Sequence, residues 1–188
     1  MPNWCANDLY VYGKDRDKLA ESVIIGDNPF DFNAIIPMPE VLIGTHASSC
    51  AENGKILVEG PESRALELRA KMDAKLIQMC LDEYKGNKAA FDATGYWTWY
   101  DWSRAHWGVK WNTAEAVLER QANRLKYTFE TPWSPPLPVI IALGAKFPSL
   151  TLSLRHFERG MQVKGRLKIK NGKVVEQWTD GYRGRRGG

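Results

Sequence analysis

Leu125-Lys126-Tyr127-Thr128-Phe129-Glu130-Thr131-Pro132-Trp133-Ser134-Pro135-Pro136 reads as a strand running into a helix start. Leu125, Tyr127 and Phe129 alternate with Lys126, Thr128 and Glu130, the period of a strand with one buried face. Ser134 is expected to cap the helix and Pro135 to begin it, where a missing N–H does no harm. Val139, Ile140, Leu143 and Phe147 then fall at helical spacing until Pro148. Leu150, Leu152 and Leu154 define the next strand, with His156 as their same-parity successor and Thr151, Ser153, Arg155 and Phe157 on the opposite side. Beyond Gly160 a hairpin is expected. Its first strand alternates Val163, Leu167 and Ile169 with Lys164, Arg166, Lys168 and Lys170, it turns at Asn171-Gly172, and Trp178 closes it.

Towards the N-terminus, Leu9 and Val11 alternate with Tyr10 and Tyr12 in a short strand ending at Gly13. A helix is predicted over about 15–24, with Asp15 and Asp17 near its positive end. Phe30, Phe32, Ala34 and Ile36 share one parity and predict a second strand, stopped by Pro37-Met38-Pro39. Residues 41–55 read as loop. Gly60-Pro61-Glu62 opens a helix expected to run to Gly86, with Leu68, Met72, Leu76 and Met79 as its core stripe. The resulting order, strand, helix, strand, insertion, strand, helix, strand and added hairpin, is the βαββαβ arrangement of a ferredoxin-like α+β fold. The chain is expected to form one domain over 1–188, with a helical, Trp-rich insertion over 41–122 and a flexible basic tail over 179–188.

With 188 residues, 44% of them hydrophobic, the chain can bury a core without a metal, and no cofactor or metal is expected. No apolar run reaches the ~18 residues of a membrane span, and the opening Met1-Pro2-Asn3-Trp4-Cys5 lacks a secretory pattern. A cytoplasmic protein without membrane contact is the expectation. Cys5, Cys50 and Cys80 are odd in number and widely spaced, which predicts reduced, buried thiols. The net charge of +4 is uneven: residues 1–158 hold 17 Lys and Arg against 20 Asp and Glu, while 159–188 hold 9 against 2. A basic end on a mildly acidic body is a footprint of polyanion contact, or else a solubilising tail.

The opening Met1-Pro2-Asn3-Trp4-Cys5 with Asn7 and Leu9, the element Trp107-Gly108-Val109-Lys110-Trp111, the stretch Phe129 to Pro136, and His156 to Gly160 resemble the YubB-like (Api-type) ferredoxin-like proteins. The resemblance covers about the first 40 residues and about 106–165. It implies the ferredoxin-like fold and an origin in phages, plasmids or other mobile elements, and it carries no settled biochemical activity.

Three functional readings follow, the first two of them non-catalytic. In the first, Tyr10, Tyr12, Lys126, Arg155, Phe157, Lys164, Arg166, Lys168 and Lys170 share the uncovered sheet face with help from Arg183, Arg185 and Arg186, and bind nucleic acid by stacking and phosphate contacts. The bland alternative is that these lysines only keep an outer strand from pairing. In the second, a host protein, a defence or regulatory factor, is held by Trp97, Trp99, Tyr100 and Trp102. Those residues belong to a run in which seven of sixteen positions, 96–111, are Trp or Tyr, suited to interface hot spots or simply to packing. The third is a small enzyme. Cys5 would be the nucleophile with His46, His106 or His156 as base, although no local signature pairs them, or removal of Met1 would expose Pro2 as an N-terminal amine base. His156 lies on the apolar parity of its strand, where a core imidazole is the commoner case.

Overall fold

The computed structural model describes residues 3–181. Along the chain come β1 (Trp4–Tyr12), α1 (Arg16–Ser22), α2 (Ser49–Glu59), α3 (Glu62–Lys71), α4 (Ala74–Thr94) and α5 (Trp99–His106). Then follow β2 (Ala114–Gln121), β3 (Arg124–Pro132), α6 (Leu137–Lys146), β4 (Thr151–Glu158), β5 (Val163–Lys170) and β6 (Lys173–Gly181). The chain divides into two compact units, Met1–Pro37 with Ser103–Gly188, and Met38–Trp102.

The first unit carries one antiparallel sheet in the order β2-β3-β1-β4-β5-β6. Its first four strands have the ferredoxin-like arrangement, and β5 and β6 extend the sheet beyond β4. Register puts Leu9 beside Leu154 and Leu154 beside Leu167, and Val11 beside Leu152 and Leu152 beside Ile169. All six side chains are essentially inaccessible. Burying each contributes about 1.5–3 kcal/mol. Helix α6 adds Val139, Ile140 and Leu143 to this core. Gly144 lets the helix approach, since a Cβ there would sit 2.6 Å from Ile169 Cγ2. The hairpin turns at Asn171 and Gly172 as expected, both at positive φ (53° and 71°).

The second strand is not where alternation placed it. Phe32–Ala34 is a single 3₁₀ turn, capped by Asp31, whose side chain accepts from Asn33 N at 2.7 Å. Phe30 and Phe32 are both fully buried because the loop drives two rings into the core. Phe30 lies 4.9 Å from Tyr127 and 5.0 Å from Phe129, centroid to centroid. Asn112 anchors the loop by accepting from Phe32 N at 2.9 Å. The strand itself is β2, counted above in the insertion. It is an edge with little apolar content, held by pairing with β3 and by an Arg120–Asp17 ion pair to α1. Ser134 does not cap α6 either. Pro136 holds the cap position, and the Ser134 hydroxyl donates to Gly108 O at 3.1 Å.

In the helical unit the expected loop over 41–55 already contains the start of α2, capped by Ser48, whose hydroxyl accepts from Ala51 N. The expected single helix from Pro61 is two. Met72, extended at φ −118° and ψ 140°, ends one, and Asp73 caps the next by accepting from Leu76 N at 2.8 Å. Gly86 lies inside α4, which stops at Gly95 in the left-handed conformation. The Met stripe is not core: Leu76 and Met79 are exposed, and the buried face of α4 is Cys80, Tyr84, Asn87 and Ala90. Cys50 and Cys80 form a disulfide joining α2 to α4, which corrects the expectation of reduced thiols for that pair. Only Cys5 is a free, buried thiol among the described residues.

At the crossing of α2 and α4, a Cβ on Gly54 would fall 2.0 Å from Cys80 O and 2.7 Å from Tyr84 Cβ. Gly54→Ala is therefore expected to destabilise the protein by about 1–3 kcal/mol, as overpacking does. Gly86→Ala, in open space within α4, should stabilise it by about 0.5–1 kcal/mol. Urea denaturation of the two variants checks the pair of signs.

Candidate nucleic-acid interface

Because β1 alternates, its even residues leave the core on the side opposite the helices, and pairing extends that face across all six strands. The register gives four rows. The first is Gln121, Arg124, Tyr12, Thr151, Lys170 and Lys173. The second is Glu119, Lys126, Tyr10, Ser153, Lys168 and Glu176. The third is Val117, Thr128, Asp8, Arg155, Arg166 and Trp178, and the fourth is Glu130, Ala6, Phe157, Lys164 and Asp180. Most of these side chains are half-buried and Ser153 is buried, while Arg155 and Lys170 are exposed.

The cations on this face are not equivalent. Lys126 is held between Asp8 (3.8 Å) and Glu119 (3.5 Å), and Arg166 reaches Glu176 at 3.5 Å. Among the described residues, Arg124, Arg155, Lys168 and Lys170 have no carboxylate at ion-pair distance. A concavity of about 580 Å³ opens over the first three rows. Its lining is Tyr10, Tyr12, Thr151 and Ser153 with Arg124, Arg155, Arg166, Lys168 and Lys170. Five cations line it, and no carboxylate does. Arg155 and Arg166 stand directly opposite each other on β4 and β5, and like charges so placed are destabilising. A bound polyanion relieves that repulsion.

Tyr10 organises the cluster. The Arg124 guanidinium lies 4.9 Å from its ring centroid and that of Arg155 5.7 Å, one from each flanking strand. Arg124 also donates to Gln121 Oε1 at 2.6 Å and to the Tyr12 hydroxyl at 3.3 Å. The tyrosine thus presents two oriented guanidinium groups, a geometry suited to phosphate oxygens. Arg124 was absent from the sequence-based set, although it shares the parity of Lys126 and was legible from it. Phe157 and Lys164 share the face but lie in the fourth row with Glu130 and Asp180, outside the concavity. Arg183, Arg185 and Arg186 lie outside the described residues, as does Pro2.

The aromatic residues first assigned to a protein partner lie elsewhere. Trp97 stacks on Phe91 (4.7 Å, 23°) and Tyr84 (6.2 Å, 27°), with Lys55 Nζ 5.0 Å from its centroid. Trp99 and Tyr100 meet edge to face and are half-buried, while Trp102 is 4% exposed. A groove of about 1000 Å³ in the helical unit mixes Leu76 and Met79 with three carboxylates, Asp73, Asp82 and Glu83, against Lys75 and His46, a lining without the cationic excess of the sheet face.

The residues of the enzymatic reading do not form an activated pair. Burial pushes the Cys5 thiol up to about 12, and it holds the His156 imidazole below its ordinary 6.5. An activated thiolate needs the opposite environment. His46 belongs to the helical unit, where its backbone N–H and C=O are both bonded to the side chain of Asn87. His106 is half-buried at the end of α5. Among the described residues, no group of three or more His, Cys, Asp or Glu is placed to hold a metal. None of their helices is long and apolar enough to cross a membrane.

Comparison with known proteins agrees with this architecture. Residues 106–184 match the family model described as the ferredoxin-like domain in Api92-like protein. The fold is ferredoxin-like. A crystal structure of a protein api92 from Yersinia pseudotuberculosis is similar at a TM-score of 0.53, covering 99% of this chain and 100% of that one at 12% sequence identity. At that identity the likeness concerns the fold alone. A search of curated proteins found no significant match.

His156 Nδ1 is buried without a partner among the described residues. With its folded pKa below the 6.5 of the ordinary imidazole, the unfolded chain takes up the proton first. The stabilisation is complete above that value and is lost as pH falls from it towards the folded pKa. The melting temperature of the protein should therefore fall more between about pH 7.5 and 5.5 than that of His156→Gln. Equal falls would show that His156 does not contribute.

Proposed function

We propose that the protein acts non-catalytically, by binding nucleic acid in the cationic concavity over β3, β1, β4 and β5. The observation that carries this reading is the segregation of charge: Arg124, Arg155, Arg166, Lys168 and Lys170 converge there without a lining carboxylate, although the face as a whole bears several. Phosphate groups would sit between the paired guanidinium groups on Tyr10 and the lysines of β5, and binding would release condensed counterions. A host protein held by Trp97, Trp99 and Tyr100 has less support, because Trp97 already stacks on Phe91 and Tyr84 and Trp102 is buried. The reading is compatible with the mobile-element origin that the sequence resemblance implies.

Fluorescence anisotropy with labelled oligonucleotides at several salt concentrations tests the proposal. Four or five neutralised phosphates predict a slope of log K against log salt of about −3 for a single strand. Arg155→Ala with Lys168→Ala should flatten it by about 1.4. Lys126→Ala, already paired with Asp8 and Glu119, should leave it nearly unchanged. Absence of binding at low salt, or equal sensitivity to all three substitutions, overturns the reading.

A further inference from the structure

The described residues hold a second exposed feature on the same unit as the concavity. Trp4, Trp111 and Trp133 come from three separate segments and converge, Trp111 lying 6.4 Å from Trp4 and 6.3 Å from Trp133 between ring centroids. Each keeps about two fifths of its surface exposed, 37%, 38% and 43%. All three belong to the first unit, whose Trp107 is by contrast buried. Lys110 Nζ stands 4.4 Å from the Trp111 centroid and 5.9 Å from that of Trp133, so the patch carries its own cation.

The backbone is arranged to present these rings. Trp133 has φ 63°, a conformation a bulky residue rarely adopts and one that structures retain where it is over-determined. Here its N–H donates to Asn3 O at 2.9 Å, and the preceding Pro132 pairs with Trp4. Trp4 has the same strand parity as Tyr10 and Tyr12, so its ring leaves the sheet on the face that carries the concavity. Six residues of strand separate Trp4 from Tyr10, about 20 Å at about 3.3 Å per residue. That is about six phosphate steps of a stacked single strand at about 3.4 Å each.

We propose that the indoles of Trp4, Trp111 and Trp133 are a base-stacking platform, and that the ligand of the sheet face is single-stranded nucleic acid spanning platform and concavity. This rests on the proposed function above and narrows it. Tyr10 already holds two guanidinium groups, which leaves stacking to the indoles. A duplex keeps its bases stacked inside and can offer this platform nothing, whereas an open strand offers one π-face per base. Charge complementarity selects the occupant: Lys110 lies over the rings and the concavity on Trp4's face of the sheet is lined by five cations, which suits a ligand that alternates aromatic faces with negative charge.

The test uses the full chain and three labelled probes of about ten nucleotides: a single strand, the matching duplex, and an abasic strand with the same phosphates. The wild-type protein should bind the single strand in preference to the abasic strand and the duplex. Its affinity should rise sharply between strands of about four and ten nucleotides. Trp133→Ala should weaken single-strand binding by about 5- to 100-fold while leaving abasic binding and the salt slope unchanged. Trp111→Ala, away from the left-handed position, should do the same and decides the matter if Trp133→Ala does not fold. Equal binding of single and abasic strands, unaffected by either substitution, overturns the platform and leaves the cationic concavity standing. Failure of all three probes to bind at low salt removes both.

Discussion

Strand β1 is hydrogen-bonded along almost its whole length on both sides, to β3 and to β4, and its residues alternate without interruption between two chemistries. Cys5, Asn7, Leu9 and Val11 are fully buried, while Trp4, Ala6, Asp8, Tyr10 and Tyr12 face away from the core. A slip of one residue in either ladder would exchange the two sets, placing Asp8 and two tyrosines under the helices. The burial of Leu9 and Val11 against Leu152, Leu154, Leu125 and Tyr127 holds the register. That register in turn brings Arg124 and Arg155 to opposite sides of Tyr10. The core and the candidate site are therefore consequences of one pairing.

The same pairing decides which charges remain available. Lys126 and Arg155 stand on the same face of the two strands that flank β1 and look alike in the sequence, yet register gives the first two carboxylate neighbours and leaves the second over an aromatic ring. In β5, Arg166 meets Glu176 across the hairpin, while Lys168 and Lys170 have no such ion pair among the described residues. The basic character of the chain end is thus partly cancelled at the sheet and partly concentrated in one concavity. A count of Lys and Arg could not distinguish these cases, because pairing is a property of neighbours across strands.

Regular alternation was legible wherever one face of a strand is apolar. Leu125 to Phe129, Leu150 to Leu154 and the Asn171-Gly172 hairpin all appear as read. It misled at Phe30 to Ile36, where two buried rings satisfy the same apolar parity from a capped 3₁₀ turn, and it missed β2, an edge strand whose residues carry little apolar signal. In the helical unit, Met and Leu at helical spacing suggested a core face, but α4 buries Cys80, Tyr84 and Asn87. The disulfide, the close approach at Gly54 and the clamp of Asn87 on the backbone of His46 select that face, and each depends on a partner distant in sequence. The Trp4, Trp111 and Trp133 cluster was invisible for the same reason, although each segment had been singled out separately.

By itself the amino-acid sequence determined the order of most elements, the βαββαβ plan and the excess of cations near the chain end, since periodicity, turn residues and charge are local properties. Tertiary structure alone decided where the edge strand lies, which cysteines are joined, which cations are neutralised and which tryptophans are left exposed. Those outcomes depend on contacts between residues up to more than a hundred positions apart, such as Asp8 with Lys126 and Trp4 with Trp111. Such contacts exist only once hydrophobic burial has set the register of the sheet.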